Sequence, residues 1–466
     1  MANDTTMDSI IAFCKRKGFV YPGSEIYGGV AGLYDFGPYG VELLNNLKAS
    51  WWREHVQKRE NYYGLDSAMF KDPRVWEASG HVGGFADPLT ECRKCNTRLR
   101  VDKELEKIGV PADEKMSESE LNTLFDEHKK KIKCPKCGGQ DFSPVRAFNL
   151  LVKSNLGDFT NTGEHPVYLP GEACQGIYLN FKNVVDTTRA KVPFGIAQIG
   201  KAFRNEISPR NFLFRTRELE QADTQYFIKP HENKEAYEKI KQDRWNWYLS
   251  LGVKEANLKW KQHERLVFYA KDAWDIEYNF PSYGFDELEG IHDRTDYDLT
   301  QHAKFSGVEL TYTDPESGEK YVPWILETSV GMGRMFLAVL SDAYTEDELG
   351  GEKRTVLKLK PSLSPIKAAV FPLLRNKPDL VAKAREVFSM LKQEFRVEWD
   401  DNGNIGKRYR RQDEIGTPWC VTIDFDTLGE TPELKDTVTV RDRDTGTQQR
   451  MNISELVVYI QNGIAN

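Results

Sequence analysis

Apolar positions along residues 39–60 recur at Val41, Leu44, Leu47, Trp51 and Val56, with Lys58 and Arg59 in the last turn. That period predicts a helix with one buried face. Farther along, Trp274, Ile276, Tyr278 and Phe280 alternate with Asp275, Glu277 and Asn279, the period-2 pattern of a strand with one wet face. Similar segments fill 147–340 without regular helices between them, which predicts an antiparallel sheet. A charged, glycine-containing linker is expected near 345–360. Beyond it the pattern becomes strand–helix alternation: a strand over 366–374, a helix over 378–395 carrying Leu380, Ala384, Val387, Leu391 and Phe395 on one face, and a strand over 419–425. A hairpin around Asp444-Thr445-Gly446 and a last helix over 453–462 complete a separate α/β domain of about a hundred residues.

Composition adds limits. The 466 residues hold 39% hydrophobic and 12% aromatic residues, a globular profile of a length suited to two to four domains. No run of eighteen apolar residues occurs, and residues 1–19 lack the apolar core of a secretion signal. A secreted or membrane-spanning protein is not expected. With 64 basic and 71 acidic residues the net charge is −7, which says little about local patches.

Seven cysteines include two CxxC pairs, Cys92/Cys95 and Cys134/Cys137; Cys14, Cys174 and Cys420 are isolated. Two such knuckles supply the four sulfurs of a tetrahedral structural Zn²⁺ site. Four unligated thiols or a redox pair are the alternatives. The long spacer contains a charged helical stretch, 117–131, so residues 90–146 read as a zinc-knuckle insertion in a reducing, cytoplasmic setting.

Gly195-Ile196-Ala197-Gln198-Ile199-Gly200-Lys201-Ala202 nearly matches a phosphate-binding loop, but Ala202 lacks the metal-binding hydroxyl and no parallel βαβ pattern surrounds it. The glycines of 27–32 are equally weak evidence for a dinucleotide fold. More telling is Phe203-Arg204-Asn205-Glu206, a loop with Arg210, then Phe212-Leu213-Phe214-Arg215-Thr216-Arg217-Glu218. Two alternating stretches around a basic loop predict a hairpin with arginines at its mouth, and arginine can clamp phosphate or carboxylate bidentately. Glu327-Thr328-Ser329-Val330-Gly331-Met332-Gly333-Arg334 is expected to end an apolar strand (322–326) and open an apolar helix (335–344). Glycines there permit close approach to an anion at a helix N-terminus.

In this order the two segments resemble motifs 2 and 3 of class II aminoacyl-tRNA synthetases. Phe36-Gly37-Pro38-Tyr39-Gly40, Trp76-Glu77-Ala78-Ser79-Gly80-His81, the 203–211 run, Glu327–Gly331 and the 406–418 run are similar to the glycyl-tRNA synthetase family of single-chain, homodimeric type. The likeness extends from about residue 8 to 463. It implies an α+β class II catalytic domain (1–89 and 147–345) with an antiparallel-sheet core, the insertion, and a linker with an anticodon-binding α/β domain (346–466). It also implies a homodimer that takes ATP, glycine, Mg²⁺ and tRNA(Gly).

The resemblance further implies that Arg204 clamps the α-phosphate and the amino-acid carboxylate, that Glu206 orients adenine or the amino acid, and that Arg334 braces the γ-phosphate. Arg215 and Arg217 would hold the triphosphate. ATP contacts would include Asn205, Phe214, Thr216, Glu218, Leu219, Glu287, Leu288, Gly331, Met332 and Gly333. Glycine contacts would come from Arg100, Glu172, Leu219, Glu220, Gln221, Ala222, Asp223, Glu327, Thr328, Ser329, Val330 and Gly331. Four positions depart from the family: Pro170-Gly171 precede Glu172 in place of Arg-Pro, Leu219 replaces an aromatic residue, and Asp223 replaces a glutamate. A non-catalytic relative would show degenerate motif arginines, whereas Arg204 and Arg334 are both present.

Charge distribution refines the count given above. Residues 360–466 hold 16 basic and 16 acidic residues, so the net negative charge lies in the first 359. Within the neutral domain Lys407, Arg408, Arg410 and Arg411 cluster beside Tyr409 and read as a patch for tRNA phosphates.

Overall fold

The computed structural model describes residues 6–112, 116–157, 165–207, 209, 211–263, 266 and 270–465; Ser208 and Arg210 of the basic loop lie outside them. Helix α1 spans Pro38–Trp52, with proline in its first turn, where the missing N–H costs nothing. Its buried stripe is Gly40, Leu43, Leu44, Leu47 and Trp51. Val41 is 40% exposed and lies off that stripe, because Leu43 takes the core position.

The core is a seven-stranded sheet built from β1 (Tyr62–Gly64), β2 (Phe194–Phe203), β3 (Glu218–Ile228), β4 (Leu258–Gln262), β5 (Asp272–Phe280), β6 (Gly284–Thr295) and β7 (Trp324–Gly331). Their spatial order is β4-β5-β6-β7-β3-β2-β1. All neighbours run antiparallel except β1 and β2, which run parallel. The expected antiparallel sheet is therefore present. The near-match to a phosphate loop is strand β2 itself, and Gly195 is required there because a Cβ would stand 2.4 Å from the Tyr62 ring.

One face of the sheet is covered by α1, by the helix Asn233–Ser250 and by α2 (Met332–Ala343), whose last nine residues are all buried. Together they form the largest apolar core, joining Leu43, Leu47 and Trp51 to Ala222, Val330 and Met335–Leu340. Strand β5 departs from its expected wet face. Asp275 and Glu277 are buried, because Lys259 and Lys261 of the edge strand reach over Glu277 and His263 meets Asp275.

The insertion carries its own three-stranded sheet (Ala86–Glu91, Arg98–Arg100, Arg146–Asn149), so its structure extends slightly beyond 90–146. The helix Glu118–His128 starts with a reciprocal Ser117/Glu120 capping box, and Leu121 and Phe125 pack into a small separate core. Where a linker is expected near 345–360, the chain forms a hairpin, Tyr344–Leu349 with Glu352–Leu357. The reason is Arg354, which is buried and ion-paired to Asp347 and Asp413 while donating to the carbonyls of Arg443 and Asp444. A charged segment can thus be a structural clamp.

The C-terminal domain has β8 (Ala368–Pro372), α3 (Pro378–Glu394), β9 (Val397–Trp399), α4 (Ile405–Ile415), β10 (Trp419–Ile423), β11 (Thr437–Asp442), β12 (Gln448–Asn452) and α5 (Leu456–Ala465). The strand order is β9-β8-β10-β11-β12, parallel in its first three members and antiparallel after. Leu380, Ala384, Val387 and Leu391 of α3 meet the sheet as their spacing predicts.

Candidate functional site

The open face of the large sheet carries the chemistry, and strand register decides which side chains reach it. Asp223 pairs with Ser329, Gln225 with Glu327 and Gln221 with Gly331 across β3 and β7, while Gln198 of β2 pairs with Asp223. These residues share one face. Their neighbours Ala222, Thr328 and Val330 point to the other: Ala222 and Val330 belong to the apolar core, and Thr328 lies against His55 and Arg244. The side chains of Ala222, Thr328 and Val330 are thus corrected out of the glycine set. The strand runs through Gly331 instead of ending at Leu326, so residues 327–331 alternate between faces. Glu220 also points away from Asp223 and ion-pairs with Lys48 of α1 at 2.6 Å.

Where β2 and β3 part, a cleft of about 360 Å³ opens between the hairpin and the N-terminus of α2. Arg204, Glu206, Phe214, Arg215, Thr216, Glu218, Leu219, Gln221, Glu287, Ser329, Gly331, Met332, Gly333 and Arg334 line it. Asn205, Arg217 and Leu288 do not. Asn205 donates its backbone N–H to Leu150, Arg217 donates Nε–H to the Glu206 carbonyl at 2.9 Å, and Leu288 is buried in the core.

Arg204 is positioned by two contacts. Its Nε donates to the Gly171 carbonyl at 3.1 Å, and its guanidinium lies 5.4 Å from the Phe85 ring centroid. Its terminal nitrogens have no acceptor among the described residues, so the fork is available to an anion. Arg334 is gripped more firmly: Nε donates to the Phe214 carbonyl, Nη1 meets Glu287 at 3.1 Å, and the guanidinium sits 4.3 Å over the Phe214 ring. Glu206, itself buried, stands 3.5 Å from Arg215 Nε. Phe214 lines the same cleft as Leu219, the position where an aromatic residue is missing.

Beside the cleft lies a buried acidic pocket. Glu327 accepts from Arg294 Nη1 at 3.0 Å, from Gln225 at 2.8 Å and from His292 Nδ1 at 2.9 Å. Burial drives its carboxyl up, but Arg294 and His292 outweigh this and hold it at about 2. Glu172 accepts from Gln175 at 2.6 Å and faces His81 at 3.5 Å. Burial again raises this carboxyl, and His81 and Arg294 bring it well below the usual range. Asp223 differs. Burial first, then the Glu327 charge, push it well above the ordinary 3.8, and Oδ1 has no hydrogen-bond partner. The sequence reading missed His81, Gln225, His292 and Arg294. The alternation of His292 and Arg294 along β6 was the available signal, but their partner Glu327 is more than thirty residues away. Arg100 sits apart from the cleft lining, in ion pairs with Asp87 (2.9 Å) and Asp102 (2.6 Å).

Two further groups were singled out. The Sγ atoms of Cys92, Cys95, Cys134 and Cys137 all lie within 4.8 Å of one another, with 3.6 Å between Cys92 and Cys137 and 3.5 Å between Cys95 and Cys134. Those separations suit four thiolates around one ion at about 2.3 Å each. The basic cluster on α4 is mostly structural. Arg408 is buried and donates to the carbonyls of Pro372, Asp401 and Gly403, so it is corrected out of a phosphate-contacting patch. Arg410 pairs with Glu352 and Asp413, and Arg411 with Asp400. A helix of 3.6 residues per turn points neighbouring basic residues in different directions, and Lys407 is left exposed.

Comparison with known proteins matches two regions of the chain. Residues 158–343 match the model described as "tRNA synthetase class II core domain (G, H, P, S and T)", and residues 367–463 match the one described as "Anticodon binding domain". The chain is 50% identical to the glycine–tRNA ligase of Clostridium tetani over 99% of each chain. It is 49% identical to that of Clostridium perfringens and 48% identical to that of Clostridium acetobutylicum, each over 100% of both chains.

Proposed function

Because this chain belongs to the glycine–tRNA ligases, with a class II core and an anticodon-binding domain, we propose a division of labour among its own residues for that reaction. Glycine reacts with ATP to give glycyl-adenylate and pyrophosphate, and the glycyl group then passes to the 3′ end of tRNA(Gly). The observation that carries the assignment is the adjacency of two unlike sites: the cleft with the free Arg204 fork, and the carboxylates of Glu172, Asp223 and Glu327 next to it, the last two buried.

The α-phosphate and the glycine carboxylate meet at Arg204, whose fork neutralises charge on both as the carboxylate oxygen attacks phosphorus. Arg215 and Arg334 hold the outer phosphates, and Glu206 orients Arg215. Phe214 and Leu219 present the apolar surface for adenine. The ammonium group enters the acidic pocket, where Asp223 Oδ1 is an unpartnered acceptor. Gln221 and Ser329 close the space a larger side chain would need, so exclusion of other amino acids is steric. Glu287, the carboxylate that meets Arg334, would help hold an Mg²⁺, which would supply charge neutralisation for the phosphates.

A structural Zn²⁺ fits Cys92, Cys95, Cys134 and Cys137, and free thiols agree with a reducing, cytoplasmic setting. The chain works as a homodimer of single-chain type, a reading that rests on the family resemblance; sedimentation giving a monomer would remove it. Among the described residues no helix is long and apolar enough to cross a membrane. The deciding experiment for the activity is glycine-dependent exchange of pyrophosphate into ATP. Folded protein without exchange would overturn the assignment.

A further inference from the structure

We propose that His263, Asp275 and His292 form a second metal site, separate from the four thiolates, for a borderline divalent ion such as Zn²⁺. Three adjacent strands build it. His263 follows β4, Asp275 lies on β5 and His292 on β6, and one ligand atom from each lies within 4.8 Å of the others. Two imidazoles and one carboxylate leave a fourth tetrahedral position for water, with bonds of about 2.0–2.2 Å reached by small side-chain shifts.

Three observations favour an ion over a simple hydrogen-bonded trio. First, His292 is already oriented as metal-bound histidines are. Its Nδ1 stands 2.9 Å from a Glu327 oxygen, and a carboxylate only accepts, so Nδ1 carries a proton and Nε2 is the nitrogen left for a metal. Second, Gly290 makes room for the His292 ring. A Cβ at Gly290 would lie 2.9 Å from His292 Nε2, 2.8 Å from its Cε1 and 3.7 Å from Asp275 Oδ1. Gly290 pairs with Asp275 across β5 and β6, so a side chain there would displace the His292 ring from its place beside Asp275. Third, an entry path exists, because the His263 side chain is 37% exposed while Asp275 is 10% exposed.

Without an ion, His263 Nε2–H donates to Asp275 Oδ2 at 2.7 Å. Binding puts the metal on Nε2, and the His263 proton moves to Nδ1 by exchange with solvent, so the ring stays a neutral imidazole ligand. The nearest lysine of the edge strand, Lys261, is tied to Glu277 at 3.1 Å. Through His292 the ion would brace Glu327, linking metal supply to the geometry of the amino-acid pocket.

The test counts metal on the full-length protein after equilibration with Zn²⁺ and removal of free ion. Wild type is expected to hold one ion more than His263→Ala. Gly290→Ala keeps all three ligand residues but displaces the His292 ring, and it is expected to lose the same ion. Titration with Co²⁺ separates the sites: the thiolate site gives intense sulfur-to-cobalt bands, and the second equivalent adds only weak d–d bands that both variants lack. Equal metal counts and equal Co²⁺ spectra in wild type and the folded variants would overturn the proposal. That result would leave the glycine-activation reading intact, since the count is independent of exchange activity.

Discussion

Asp223 and Glu327 stand on adjacent strands and face the same pocket with opposite electrostatic circumstances. Glu327 is saturated by Arg294, His292 and Gln225 and stays ionised, whereas Asp223 is buried with an oxygen unpartnered and its carboxyl pushed well above 3.8. Such a group stabilises the fold when protonated, and that contribution is lost as pH rises through its raised folded-state value. The empty enzyme is therefore held below its attainable stability at neutral pH. Asp223→Asn is expected to raise the unfolding free energy there by roughly 1–3 kcal/mol and to raise the KM for glycine by roughly 10–100-fold. Calorimetry with exchange kinetics checks both. In wild type the KM for glycine should climb as pH falls through the raised Asp223 value, and Asp223→Asn should flatten that climb. A variant both less stable and normal in KM would refute the assignment.

The Arg204 guanidinium is held by one carbonyl and one ring and supports no other contact among the described residues. Removing it should spare the fold. Arg204→Ala is expected to lower glycine-dependent exchange on the order of 10³-fold, with a melting temperature within about 2 °C of wild type. Arg204→Lys should recover little, because an ammonium cannot bridge a phosphate and a carboxylate as a fork does.

The contrast between these arginines and the rest of the site explains what was legible in the sequence. Arg204, Arg215 and Arg334 follow from local signals: a hairpin mouth and a strand-to-helix junction. The helices and strands of the C-terminal domain follow from periodicity, since Leu380, Ala384, Val387 and Leu391 all point inward. Face assignment at 327–331 failed because a strand three to five residues longer than expected turns every second side chain away. Arg354 and Arg408 read as linker or patch because their partners, Asp413 and the Pro372 carbonyl, come from distant segments. Local charge carries no record of such pairing.

The thiolate set joins the two ends of a spacer whose own core is small, Leu99, Leu105, Leu121 and Phe125 among its members. A core of that size needs a staple. Cys134→Ser is expected to lower bound Zn²⁺ by about one per chain and to speed amide hydrogen exchange across 86–149 while β2, β3 and β7 stay protected. Mass spectrometry of exchange reads both regions at once, and uniform protection in the variant would count against a metal-stapled insertion.

Arg408 and Lys407 are neighbours in sequence with separate physical roles. Arg408 is buried and satisfies three backbone carbonyls that join β8 to the loop before α4. Arg408→Ala leaves those acceptors unpaired and should destabilise the C-terminal domain by roughly 2–4 kcal/mol. Lys407 is exposed at the start of the same helix. Lys407→Ala should leave denaturant unfolding unchanged, weaken tRNA binding modestly and reduce the slope of log affinity against log salt by about 1. Filter binding across a salt series measures that slope. If Arg408→Ala changed the slope at full stability, or Lys407→Ala unfolded the domain, the separation of roles would fail.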